Sequence, residues 1–229
     1  MLVAAAVCPH PPLIVPGLAG EASPELEPLR LACVAAVRSL AAARPDTLIT
    51  VGGADATRSY AGDAAGGLAP WGGDVRVGSG PPVLPLSLTI GRWLLDLAGA
   101  GVPAAHQAVA SDASSGECAR LGRALAARGE RVALLVMGDG SARLTVKSPG
   151  YLHPAAAGYD RALVRALGGA DAGALAALDP AEAEELWVAG RAAFQVLAGA
   201  AGDRRMTGEA LYDEAPYGVG YLVASWSQA

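Results

Sequence analysis

Histidine, cysteine, lysine and phenylalanine are all scarce in this chain. Of its 229 residues, three are His, three are Cys and one is Phe. Lys147 is the single lysine. Each scarcity excludes something. The formal charge is −5 and the pI is near 5.2, and no Lys/Arg cluster is available to neutralise phosphates. A nucleic-acid partner is therefore not expected. A membrane-surface helix would want a basic face, and none is present. Cys8, Cys33 and Cys118 are odd in number, widely spaced and never CxxC, so reduced thiols in a cytoplasmic protein are the expectation. The opening "MLVAAAVC" has small residues before a cysteine, like the end of a lipoprotein signal. It has no basic leader and too short an apolar stretch for one, so it reads as a first strand. With Phe194 alone of its kind, the core must rest on Leu, Val, Ala and four Trp.

What is present is apolar. Hydrophobic residues make up 52% of the chain and charged residues 17%, which argues against disorder and for a large core. Leu2 to Val7 is a continuous apolar run ending at prolines, the mark of a buried strand. In "EASPELEPLRLACVAAVRSLAAARPD", Leu26, Leu29, Cys33, Val37 and Leu40 recur at helical spacing, and acidic residues crowd the first turn. "TLITVGG" reads as a second buried strand. From Ala54 to Pro85 the chain is rich in Gly, Asp and Pro, a long excursion in which Trp71 and Val75 should need burial.

Helix and strand alternate thereafter. "LSLTIGRWLLDLAGAG" is a helix ended by glycines. "AHQAVA" is a strand, "GECARLGRALAARG" a helix closed by Gly129, and "RVALLVMGDGS" a strand opening into a glycine turn. "HPAAAGYDRALVRALGG" is a helix. "LDPAEAEELWVAGRAAFQVLAGAAG" reads as one further helix, with Asp179 as N-cap and Pro180 at its first position. The C-terminal "GEALYDEAPYGVGYLVASW" suggests two strands around a Pro-Gly bend. No repeat and no linker divides the chain. The expected fold is one α/β domain over 1–229 with a central mixed, largely parallel sheet flanked by helices.

Ligands of such sheets sit outside the carboxyl ends of the strands. Three polar loops leave predicted strand ends: Pro9–Pro12, Gly52–Tyr60 and Gly138–Arg143. His10 stands in the first, where flanking prolines fix the backbone and can aim an imidazole rigidly. It is either a metal ligand at the mouth of a site or a cap on the strand end. Asp55 follows the second strand in "VGGADATRSY", as a metal ligand or an Asx-turn residue. Asp213 and Glu214 precede the Pro-Gly bend, as a metal carboxylate or an exposed turn. His153 is a base or a helix-entry residue, and His106 within "AHQAVA" is structural or exposed. "MGDGSARL" lacks the Gly spacing and Lys of a P-loop. No G-x-S-x-G stands at a strand-to-helix turn, which disfavours an α/β-hydrolase.

Taken together, "CPHPPLIVPG", "LITVGGAD", "VMGDGSARLT…GYLHP…GYDRALV" and "YDEAPYGVGYLVASW" resemble the class III extradiol dioxygenases, the family of the protocatechuate 4,5-dioxygenase β subunit, with the Memo proteins as relatives. The likeness runs in order from Val7 to Trp226, and narrows to an alanine-rich bacterial branch. It implies Fe(II) held by two histidines and one carboxylate, with positions open for a catecholate and dioxygen. A further histidine acts as acid/base during ring opening. On this resemblance His10 is the first metal ligand and Glu214 the carboxylate. The second histidine is absent, and Asp55 is the nearest substitute. The turn carrying the acid/base histidine reads "GDGSARL", with Ala142 at that place. Asp139 and Ser141 of this turn, and His153 further along the loop, become the catalytic candidates.

One His with two carboxylates is a harder, more negative ligand set than the family's, suited to Mn or Mg as well as Fe(II), or to no metal. Loss of a general base costs roughly 10²–10⁴-fold. The resemblance thus leaves three readings open. One is a dioxygenase-like oxidoreductase with a remodelled site, acting on a small catechol-like aromatic. The second is a Memo-like binding or scaffold protein on the same fold, and the third a metal-dependent hydrolase. Relatives are often oligomeric, so a homo-oligomer is expected by analogy alone.

Overall fold

Strands form where the apolar runs are longest, and their pairing decides where the polar loops meet. The computed structural model describes residues 1–229. Leu2–Cys8 (β1) is buried along its whole length, and the proline-bearing turn after it leads into a short helix, Pro16–Ala19 (α1). A stretch of tighter helical turns, Gly20–Leu26, precedes Glu27–Ala42 (α2), so the regular helix starts later than the acidic first turn suggested. Thr47–Ala54 (β2) follows.

The Gly/Pro-rich excursion is not strandless. It holds Arg58–Ala61 (β3), Ala64–Gly67 (β4), Arg76–Val77 (β5) and Ser79–Pro82 (β6). The last three form a small separate sheet in the order β5-β4-β6. Val75 packs half-buried against the core, as its residue type requires. Trp71 does not: its side chain is 42% exposed. It lies instead on the wall of a cavity that His10 also lines.

Leu86–Ala98 (α3) ends at Gly99, whose φ of 69° supplies the left-handed turn that closes a helix. Ala105–Ala110 (β7), Ser115–Ala126 (α4) and Val132–Met137 (β8) come next. Ser114 and Glu117 cap α4 reciprocally, and the helix stops three residues short of Gly129. Ala156–Gly168 (α5) is followed by a short helix the sequence did not announce, Ala172–Ala176 (α6).

The single helix expected from Leu178 onwards is two, Pro180–Glu185 (α7) and Arg191–Ala201 (α8). Asp179 caps the first as predicted. The break falls at Trp187, held at a φ of 54°. Met206–Glu214 (β9) and Tyr221–Gln228 (β10) close the chain as a hairpin.

The seven-stranded sheet runs β3-β7-β2-β8-β1-β10-β9. Strands β7, β2, β8 and β1 are mutually parallel, while β3, and β10 against both β1 and β9, pair antiparallel. The sheet is therefore mixed and largely parallel. Alternation along the central strands divides the core in two. Leu2, Ala5 and Val7 of β1 join Val132, Leu134 and Val136 of β8 on the face covered by α4 to α8. Ala4, Ala6 and Cys8 join Ala133, Leu135 and Met137 on the face covered by α2 and α3. Both faces are buried, which is why these strands read as unbroken apolar runs. No helix is long and apolar enough to cross a membrane.

Candidate functional site

Register brings the loops together. Cys8 pairs with Met137, Met137 with Gly52, and Gly52 with Ala108, so four parallel strands reach one edge in step. Immediately past that edge stand His10, Gly53 to Asp55, Ser111 and Asp139. All three loops singled out in the sequence leave from this edge. A cavity of about 400 Å³ lies there, lined by His10, Asp55, Trp71, Leu86, Ser111 and Ala189 among others. A larger one of about 720 Å³ shares Ser111 and Ala189 with it and extends past Ala142 to Trp187 and Arg191. The two adjoin at those shared residues along the carboxyl edge of the sheet, the usual location for ligands of such folds.

His10 is nearly buried, and its backbone N–H donates to Asp139 Oδ1 at 2.8 Å. The same oxygen lies 3.5 Å from His10 Nδ1, close enough for electrostatic attraction but without a hydrogen bond. Nδ1 is sealed from solvent with no other partner. Nε2 has no protein partner either and is not sealed, so it is the edge the ring presents to the cleft. A carboxylate behind Nδ1 favours the proton there and leaves the Nε2 lone pair facing outward.

The turn holding Asp139 is pinned on every side. Gly140 N–H donates to Gly220 O at 2.8 Å, and Gly220 N–H to Ser141 O at 2.9 Å. Ser141 N–H donates to Asp160 Oδ1 at 2.9 Å. Asp160 fits only because positions 140 and 220 are glycines: a Cβ on Gly220 would meet its Oδ2 at 1.9 Å. Burial, with the charge of Asp213 adding to it and the Ser141 bond opposing, raises the Asp160 carboxyl to about 6.

The other predicted site residues are placed differently. Ser141 is fully buried, donates to Leu186 O at 2.7 Å and accepts from Arg143 N–H, so its hydroxyl fastens the loop and offers the cleft nothing. His153 is turned away: Nε2 lies 3.1 Å from Glu185 Oε1, and Nδ1 accepts from Ala155 N–H. Both ring nitrogens are thus engaged at the entry to α5, and His153 lines neither cavity. Asp55 lines the His10 cavity from its exposed rim. Glu214, exposed at the end of β9, accepts from Tyr212 Oη at 3.3 Å. Because β10 separates β9 from β1, Glu214 is two strand spacings from the His10 strand, roughly 10 Å.

No three His, Cys, Asp or Glu side chains anywhere converge as a metal site requires. His10, Asp55 and Glu214 are therefore not a ligand triad, and the donor set fits neither Fe(II) nor a harder divalent ion. His106 is fully buried, bonded to Thr50 Oγ1 and Gly62 O, and burial lowers it to about 4. The three thiols are free and buried.

Sequence reasoning missed Ser111, Trp71, Trp187 and Arg191 as cleft residues. Only the length of the Gly/Pro excursion hinted at Trp71. The others arrive by packing of elements distant along the chain.

No family model matches this sequence, and no curated protein does. Among solved structures, the crystal structure of uncharacterized protein JW3007 from Escherichia coli K12 is similar with a TM-score of 0.64, at 15% sequence identity, over 98% of this chain and 99% of that one. At that identity the likeness is one of fold: an α/β domain with a mixed, largely parallel sheet flanked by helices.

Proposed function

We propose that this chain is a small-molecule-binding protein on the class III extradiol dioxygenase fold, with a cleft that takes a hydroxyl-bearing aromatic and no metal centre to cleave it. One observation carries the reading. His10 offers a free Nε2 to the cleft with Asp139 behind it, while no second and third ligand converge on the ring. The fold-level part of the proposal rests on the motifs in order along the sequence, and on their loops sharing one sheet edge.

The cavity suits a single ring. Its volume of about 400 Å³ lies in the range of small-ligand sites. Leu86 and Pro85 supply apolar wall, the half-open Trp71 indole supplies a stacking face, and His10 Nε2 accepts from a phenolic hydroxyl. The same His–Asp pair is placed to take up that proton.

The test is calorimetric titration with phenol and catechol, alongside anaerobic loading with Fe(II). Micromolar-to-millimolar binding is expected, weakened about tenfold or more in His10→Ala, with no stoichiometric iron and no yellow ring-opened product. Iron retention with product would return the protein to the dioxygenases. Absence of any phenol or catechol binding would remove the binding reading.

A further inference from the structure

Arg191 is a buried cation with no counter-charge. It begins α8 and is 4% exposed, and a helix N-terminus is an unfavourable place for a positive group. The ion pairs of the chain involve His10, Arg30, Arg92 and His153, and none reaches Arg191. Its protein partners are neutral. Nη1 donates to Ala113 O and, at 3.1 Å, to Gln195 Oε1, with Cys118 Sγ at 4.0 Å, and Nη2 donates to Ser111 O. That leaves Nε–H and one Nη2 hydrogen without acceptors. Nε is not sealed inside the protein, and the side chain lines the 720 Å³ cavity. Desolvated charge of this kind is costly unless a partner arrives.

We propose that Arg191 anchors the carboxylate of an apolar monocarboxylic acid in this larger cavity. The two unspent donors, on neighbouring nitrogens of a planar fork, match two carboxylate oxygens. Ala142, Ala183 and Val188 give the acid's hydrocarbon part an apolar wall. Trp187 lines the cavity as well: the residue is 55% exposed, and its backbone is held at a φ of 54°, a strained conformation that tends to collect at ligand sites. Asp112 and Glu184 also line the cavity, both exposed and water-screened. Screening leaves the charge at Arg191 effective, and the fork has unspent donors for a single carboxylate. The site shares only Ser111 and Ala189 with the His10 cavity, so it stands without the phenol reading.

The experiment compares benzoate and hexanoate with benzamide and hexanamide by calorimetry on the full chain. The acids should bind one per chain, at least tenfold more tightly than the amides, and should weaken in high salt. Arg191→Lys keeps the charge but loses the fork, and should cost about tenfold. Ala142→Phe fills the cavity from its side, and should abolish acid binding while leaving the melting temperature and phenol binding at His10 in place. Equal affinity for acid and amide, no acid binding at millimolar concentration, or acid binding that survives Ala142→Phe would each overturn the proposal. If Arg191→Lys does not fold, the acid–amide comparison and Ala142→Phe still decide it.

Discussion

Asp160 illustrates what a single buried group does to the cleft and to stability. Its Oδ1 holds the Ser141 N–H, fixing the turn that carries Asp139, while Oδ2 has no partner. The group titrates near 3.8 when unfolded and at about 6 in the fold. Below both values it is neutral in either state. As pH rises through that window the unfolded chain gives up its proton first, so the native state loses relative stability. A shift of that size corresponds to about 3 kcal/mol. Asp160→Asn stays neutral at every pH and keeps the Oδ1 bond. The variant should match the wild type near pH 3 and become more stable than it by up to about 3 kcal/mol above pH 6, measured by urea unfolding across pH 3 to 8. A difference that stays flat with pH would mean the carboxyl is not perturbed. Nothing in "GYDRALV" marks this Asp as buried: the two glycines that make room for it lie 20 positions before it and 60 after it.

Elements show where periodicity informs and where it misleads. Strands β1, β2 and β8 follow the apolar runs closely, because both faces of each are covered. The stretch from Leu178 to Gly202 keeps helical spacing throughout, yet the chain breaks at Trp187 to Gly190. The reason is tertiary. Gly190 N–H donates to Asp139 O at 2.9 Å, and a Cβ on Gly190 would meet the Phe194 ring at 2.2 Å. The break thus lets the start of α8 pack against the Asp139 turn. A second close approach joins α4 and α8. A Cβ on Gly122 would lie 2.1 Å from Val196 O, and one on Gly199 2.5 Å from Ala119 O. Both contacts are backbone and cannot swing aside. Gly122→Ala gains about 1 kcal/mol in helix propensity but forces the helices apart. A net loss of roughly 1–3 kcal/mol is expected by denaturant unfolding, and a stabilised variant would contradict the contact.

At the scale of the whole molecule, the sequence shows strand–helix alternation but not who pairs with whom. The α/β class and the shared loop edge were legible because they depend on local runs and their ends. Strand order was not, and neither was the His10–Asp139 pair, joined across 129 positions by the pairing of β1 with β8. The metal triad failed for the same reason: β10 inserts between β1 and β9 and keeps Glu214 away. That insertion has a further consequence. The last strand completes both halves of the core, with Leu222, Ala224 and Trp226 on one face and Tyr221 and Val223 on the other. Trp226 Nε1 also donates to Leu167 O at 2.6 Å, tying the strand to α5. Without β10, β1 would present an open edge and β9 would lose its only strand partner. Removing residues 221–229 should therefore abolish the cooperative unfolding transition, read by circular dichroism in urea, rather than merely lower its midpoint. Trp226→Phe retains most of the buried ring and loses one hydrogen bond, while Leu167 O keeps the Ala170 N–H, so it should stay folded at a cost of about 1–3 kcal/mol from the lost bond and the space left by the indole. A truncated chain that still unfolds cooperatively would show that the two cores close without the C-terminal strand.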